Sequence, residues 1–457
     1  MKRVMVLSLI IGLVLGACKK ESSTTSTPTP SPGGDTVSAA DKVKDTSLLI
    51  ARDIYLWYDK IPATFNPRAY ADPDKVMQAI RPYSIEPGFT DPVDRWSFGI
   101  LQKDWNNTSS GISGDLGLGI FFLAQNDLRV SYVEKESVAG TAGVERSWRI
   151  TKINGSTAIN TSDASINYIV DAIYGGKTAN ISFLKPDGTT VDLTLSPSTY
   201  KEEPLILDTI YTSGSKKVGY FILNSFLGDT AQIKNGFNNI FTKFAANNVT
   251  DIVVDLRYNG GGYVFLQEEL ANYLAPASED GKLMYSQSYN DKYSQYNRSS
   301  YFSKKGSVNP SKIVFIASQN TASASEALIN IMKPHVDVKI VGPSHTHGKP
   351  VGFFNIPVGD WYVFPVSLRI VNSLNVGNYF NGFTPDNTVM DGLDKPWGDL
   401  SEDCLASAFK YLTTGGFKAE TKDNIRSDAE LIRSYNRLPS HKYKFMVESR
   451  KVIPGLK

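Results

Sequence analysis

The chain has 457 residues, 41% hydrophobic and 21% charged, which suits a soluble globular protein with a sizeable core and about three domains. Against 46 Asp and Glu stand 48 Lys and Arg, a formal charge of +2. So near a balance marks out neither nucleic acid nor an anionic surface as a partner.

Lys2 and Arg3 precede an apolar run over 4–15, too short to span a membrane and of the right length for a secretory h-region. The run ends Leu15-Gly16-Ala17-Cys18, which resembles the bacterial lipoprotein signal. That resemblance implies cleavage after residue 17 and lipidation of Cys18. Lys19 follows where Asp would favour inner-membrane retention, so the expected address is the outer membrane, facing the periplasm or the exterior. Cys404 is the only other cysteine, so no intrachain disulfide is expected, and it reads as buried packing. Residues 21–34 are rich in Ser, Thr, Pro and Gly and read as part of a flexible tether over 18–40.

Residues 41–112 read as a small helical domain with no evident chemistry. Ile50, Ile54, Trp57 and Ile61 recur at helical spacing in one amphipathic helix. Asp72-Pro73 caps a second helix, whose apolar face is Val76, Met77 and Ile80 and which Pro82 stops. Between 113 and 198 the pattern becomes short strands, near 116–123, 128–134, 148–153, 180–184 and 190–195. One helix, capped at Asp163 and closed by Gly175-Gly176, lies among them. One helix among short strands, with Gly117-Leu118-Gly119-Ile120, resembles a PDZ domain. In such domains a glycine-bearing loop offers backbone N–H groups to a peptide's terminal carboxylate, and the peptide adds as a strand.

From 199 to 416 strands and helices alternate, predicting an α/β core with a mainly parallel sheet and its site at the strand C-terminal ends. The strand near 218–223 precedes a helix from Thr230, and that near 251–256 leads into Asn259-Gly260-Gly261-Gly262 and a helix near Val264. The strand near 313–317 leads into Thr321-Ala322-Ser323-Ala324-Ser325-Glu326 and a helix over 327–332. After the strand near 338–341 comes a loop ending His345-Thr346-His347-Gly348-Lys349. The tyrosine-rich stretch 284–301 fits no period and reads as a long excursion near the site. Residues 417–457 form a tail with one helix near 427–435.

A serine at a strand-to-helix turn has its hydroxyl beside unpaired helix N–H groups, where a nucleophile and an oxyanion can both be held. An amine serves as its base only when neutral, with its pKa lowered by burial or by neighbouring cations. The glycine triplet, the serine turn and the lysine loop, in this order, closely resemble the C-terminal processing peptidases, also called tail-specific proteases, over about 41–416. The resemblance implies a crotonase-like α/β core with an inserted PDZ-like domain and an N-terminal helical domain. It implies Ser323 as nucleophile, Lys349 as general base, and an oxyanion hole from Ala324 N–H with Gly261 or Gly262 N–H. Activity would be endoproteolysis near the C-termini of proteins or peptides, with no cofactor. Three features depart from the family's usual lysine loop, the first being that the stretch from Gly342 to Lys349 is one residue longer than expected. Pro350 follows Lys349, and Phe353 stands four positions on where Gln is usual.

Other chemistries compete for the same residues. His345 or His347 could approach Ser323 in a Ser-His-Asp arrangement. His-Thr-His could hold a metal but lacks a third ligand at characteristic spacing, so none is expected. Ser213-Gly214-Ser215-Lys216 matches Ser-x-x-Lys but lies in a polar turn without a Ser-Asp-Asn partner. The glycine triplet lacks the Gly-Lys-Ser/Thr ending of a phosphate loop. The alternative from another class is a catalytically inactive protein on the same fold that binds peptides or apolar ligands.

Overall fold

The strand Lys312–Ile316 is apolar on both faces, which a strand can be only when helices cover both sides of its sheet. In the computed structural model, which describes residues 37–418, 438 and 445–449, it lies inside a six-stranded sheet. In spatial order the strands are Asn387–Thr388, Asp337–Gly342, Lys312–Ile316, Asp251–Asp255, Lys216–Leu223 and Leu205–Ser213. All neighbours are parallel except the last pair. The helices Thr230–Ala246, Val264–Leu274 and Ala324–Met332 bury one face, with Phe221, Val254 and Phe315 from the sheet. The helix Asp403–Thr414 covers the other through Cys404, Leu405 and Ala408 against Tyr220, Val253 and Val314. Alternation along each strand sends successive side chains to opposite faces, so each face has its own core.

A second six-stranded sheet stands beside the first, in the order Gly261–Tyr263, Phe445–Val447, Val351–Phe353, Val366–Asn372, Leu283–Ser288 and Arg298–Tyr301. The sequence reading did not anticipate it. Its strands are short and far apart in the chain, so no local repeat announces them. The stretch 284–301 is accordingly not an excursion but two of these strands around a short 3-10 turn, Asp291–Tyr296.

Residues 118–195 form a five-stranded antiparallel sheet with the helix Asp163–Tyr174 packed on it. The helix cap is Ser162 rather than Asp163: its side chain accepts from Ser165 N–H. The chain enters and leaves this sheet through a two-stranded ribbon, Ile112–Ser113 against Tyr200–Lys201. Its fit to the core is polar. Buried Arg146 donates to Tyr258 Oη at 3.1 Å and to Asp391 Oδ1 at 2.7 Å, and Arg257 reaches the same Asp391 oxygen at 2.8 Å.

By compactness the chain divides into Met1–Ala39 and Ala40–Lys457, and of the first unit only residues 37–39 are described. The expected signal segment, residues 18–36 of the tether with Cys18, and the helix near 427–435 lie outside the described residues, whereas Ala39 and Ala40, expected in the tether, open the first helix. The first helix, Ala39–Ile54, stops before Trp57 and Ile61, which are buried in the turns that follow. The second, Pro73–Ile80, keeps its expected cap, Asp72 Oδ1 accepting from Lys75 N–H at 2.9 Å.

Candidate active site

Ser323 sits where the buried strand Lys312–Ile316 turns into the helix Ala324–Met332. An ordinary N-cap serine has negative φ and accepts a helix N–H with its hydroxyl oxygen. Ser323 does neither. Its φ is 66° and ψ −114°, a region that favours glycine, and its fully buried Oγ has no hydrogen-bond partner among the described residues. Such a conformation costs about 1–3 kcal/mol and persists only where the surroundings over-determine it.

Several bonds hold the turn in place. Ala322 N–H and Ser325 Oγ both donate to Asn259 O, at 3.1 and 3.2 Å, fastening the turn to the glycine loop. Thr321 Oγ1 donates to Leu256 O at 2.7 Å, and His347 N–H donates to Thr321 O at 3.0 Å. The decisive tie is the buried carboxylate of Glu326. Its Oε2 accepts from Ser323 N–H and Lys349 N–H, each at 2.8 Å, and its Oε1 accepts from Gly348 N–H at 2.6 Å and Thr346 Oγ1 at 2.5 Å. One side chain thus holds both the serine turn and the lysine loop. Burial pushes this carboxyl above its usual pKa, against the pull of the four hydrogen bonds. Sequence reasoning quoted Glu326 but gave it no role, although Ser-x-x-Glu is the spacing of a capping box.

Lys349 is completely buried. Burial pushes its ammonium well below the ordinary lysine value of 10.5, against the opposing charges of Asp94 and Glu326. Its Nζ lies 3.6 Å from the centre of the Phe353 ring and 5.9 Å from that of Trp96. Phe353, at the position where Gln was expected, is thus the platform for the amine. Since Ser323 Oγ makes no hydrogen bond, the Ser–Lys contact is not closed in this structure.

The other residues singled out from sequence fall as follows. Ala324 N–H, first donor of its helix, and Gly260 N–H donate to no other described residue. Gly261 N–H is given to Asn259 Oδ1 at 2.9 Å, and Gly262 is bridged to Phe226 on one side and Met446 on the other. A Cβ on Gly262, whose φ is 143°, would come within 2.3 Å of the Phe226 carbonyl carbon, so only glycine fits. In the five-stranded sheet, Gly117 N–H is likewise engaged, with Asp115 Oδ1 at 2.7 Å. Leu118, Gly119 and Ile120 lie in the edge strand Leu118–Ala124. His345 is exposed and turned to Thr346 O, and His347 Nε2 accepts from the Trp96 indole at 2.9 Å. Neither is hydrogen-bonded to Ser323.

The region 41–112, read as chemically silent, supplies a wall of the site. Asp94 is buried, accepting from Tyr55 Oη at 2.8 Å and from the N–H groups of Trp96 and Ser97. Arg95 donates to Phe380 O at 3.0 Å beside the lysine loop.

With this geometry in view, comparison with known proteins is specific. Residues 217–389 match the model of peptidase family S41, and residues 49–98 match that family's N-terminal domain. The chain carries domains of peptidase family S41. This is the family of C-terminal processing proteases. The carboxy-terminal processing protease CtpB of Bacillus subtilis is 26% identical over 286 residues, covering 61% of this chain and 53% of the relative. A CtpA-like serine protease of Staphylococcus saprophyticus is 23% identical over 262 residues, covering 56% and 50%. The chain therefore spans about half the length of the curated relatives it matches. A crystal structure assigned to an S41 protease of Bacteroides fragilis superposes with a TM-score of 0.64 at 23% identity. It covers 80% of this chain and 97% of that one, a likeness of fold.

Two outcomes are expected. Ser323→Gly, which removes the steric cost of positive φ, should stabilise the fold by about 1 kcal/mol relative to Ser323→Ala, read by denaturant unfolding. Glu326→Gln sets an amide NH₂ against N–H donors and should destabilise by about 2–3 kcal/mol in the same assay.

Proposed function

We propose that this S41 protein is a serine endopeptidase of the Ser/Lys type, cutting proteins or peptides near an accessible C-terminus. One observation carries it: a strained serine with a buried, unpartnered hydroxyl is held by one carboxylate to the loop of a buried lysine whose pKa burial depresses. An apolar burial site alone would account for neither the strain nor the shared tie.

In the proposed reaction, substrate entry brings the Lys349 side chain from Phe353 toward Ser323. The neutral amine takes the hydroxyl proton as Oγ attacks the scissile carbonyl carbon. Ala324 N–H and a glycine-loop N–H receive the oxyanion. Gly260 offers that donor as the loop stands, while the Gly261 N–H becomes available on leaving Asn259. Lys349 then gives its proton to the departing amine, and water repeats the sequence on the acyl-enzyme. No cofactor enters.

The core is read as crotonase-like and residues 113–198 as PDZ-like, the edge strand Leu118–Ala124 being where a chain terminus would add. Because Gly117 N–H is engaged with Asp115, carboxylate capture there requires that bond to open. The sequence at 15–18 supports a lipid anchor at Cys18 on the bacterial envelope, at the outer membrane. A second reading, a peptide- or apolar-ligand-binding protein without turnover, draws on the open Ser–Lys contact and on Phe353 at the Gln position.

Peptide hydrolysis decides between them. Ser323→Ala and Lys349→Ala should each abolish turnover; equal activity in wild type and Ser323→Ala sinks the protease reading. The rate should rise with pH through the depressed lysine pKa and level off well below 10.5. The same shift fixes the sign of a stability effect. Between the folded and unfolded pKa values of Lys349 the unfolded chain holds a proton that the folded chain lacks, so stability rises with pH across that window. Lys349→Met should therefore be the more stable protein at neutral pH, its advantage closing as pH approaches 10.5.

A further inference from the structure

The strand Phe445–Val447 has an unusual place. It lies between Gly261–Tyr263, the strand that continues the glycine loop, and Val351–Phe353, which begins two residues after Lys349. It runs parallel to both, with Gly261 opposite Phe445, Gly262 opposite Met446, Tyr263 opposite Val447, and Phe353 also opposite Val447. Glu448 N–H donates to Phe353 O at 2.9 Å, and Glu448 Oε2 meets Arg298 Nη2 at 2.7 Å. Val447 and Glu448 are buried.

Adjacent strands lie about 4.8 Å apart, so two strands flanking one occupant leave a slot about 10 Å wide. Such a slot takes an extended chain by backbone hydrogen bonds on both sides, largely regardless of its sequence. Its walls here are the glycine strand, which packs against the serine turn through Asn259, and Phe353, whose ring carries the Lys349 amine. The Arg298 guanidinium at its end suits a carboxylate.

We infer that this slot is where the protein takes an extended peptide, and that its own residues 445–448 fill it as an internal competitor, with the Glu448 carboxylate anchored on Arg298. This rests on the endopeptidase reading and adds to it a binding mode, a ligand class and a self-limiting tail. While the tail is in place, Gly262 is closed in by Met446 and Phe353 is held by Glu448. Entry of a substrate strand requires the tail to leave.

A tethered segment acts at an effective concentration on the order of millimolar. If the free segment binds with a Kd of ~100 µM, attachment lowers kcat/KM about tenfold, by raising KM with kcat unchanged. The test uses the full chain. Val447→Pro removes a ladder donor and should lower KM for an unstructured peptide about tenfold. A synthetic peptide of residues 443–450, added in trans, should raise it again. Glu448→Gln, which leaves the ladder intact, should shift KM the same way by less, and it serves alone if the proline variant does not unfold cooperatively. Unchanged KM in the folded variants overturns the inference. If no chain turns over peptide, the fluorescent 443–450 peptide is titrated onto Ser323→Ala chains with and without Val447→Pro. Saturable binding only to the chain with proline upholds the slot while the protease reading falls; binding to neither overturns the slot.

Discussion

A single buried carboxylate organises the site. Glu326 accepts four hydrogen bonds, three from backbone N–H groups and one from Thr346 Oγ1, and so joins two segments separate in sequence that also touch where His347 N–H donates to Thr321 O. Each bond to an ionised acceptor is worth more than a neutral one, and together they oppose the burial that nevertheless keeps this carboxyl above its usual pKa. The consequence is positional. Ser323 cannot relax out of its strained φ without losing a charge-assisted bond, and the Lys349 backbone cannot drift without losing another. Strain at one residue and burial of an amine at another are both unfavourable, and both are held by the same group.

The glycine loop is fixed from the opposite side by a denser set of charges. Arg257 donates to Asp255, Asp391 and Glu402, and Arg146, from the five-stranded sheet, reaches Asp391 as well. Burial alone would raise the Asp391 pKa, yet the two guanidiniums hold it below the usual carboxylate range. Tyr258, between Arg257 and Asn259, also donates to Asp391. The position of the glycine backbone therefore depends on a salt-bridge network that spans the five-stranded sheet and the core. An arginine removed from such a network leaves uncompensated buried charge, a large penalty compared with the loss of a surface pair.

Much of this was legible in the sequence, for definable reasons. The parallel sheet was readable because strands such as Lys312–Ile316 are continuous apolar runs between amphipathic helices, and local periodicity carries that information. The serine turn, glycine triplet and lysine loop were readable as short motifs in order. What could not be read is whatever depends on contacts between distant segments. The second sheet assembles strands as far apart as 261 and 445, and nothing local distinguishes Phe445–Val447 from a loose end. The roles of Asp94 and Trp96 arise only when the N-terminal helices fold against the lysine loop. The conformation of Ser323 is a property of its restraints rather than of its residue type.

Phe353 shows how one substitution changes the logic of such a site. An amide at that position could hydrogen-bond a lysine in either protonation state. An aromatic ring attracts only the cation, by about 0.5–2 kcal/mol. With Nζ 3.6 Å from the ring centre, the ring favours the charged form while burial, the larger effect, favours the neutral one. Loss of the proton removes that attraction while relieving the desolvation penalty. Under the proposed mechanism, the ring and the burial therefore act on one amine in opposite senses, the first favouring its charged form and the second its neutral form. The residue that fixes the ring's backbone, Glu448 through its N–H, belongs to the tail strand. If the slot takes a chain as proposed, that chain meets the backbone of the residue whose ring lies under the amine, so the proposed slot and the proposed base share one residue.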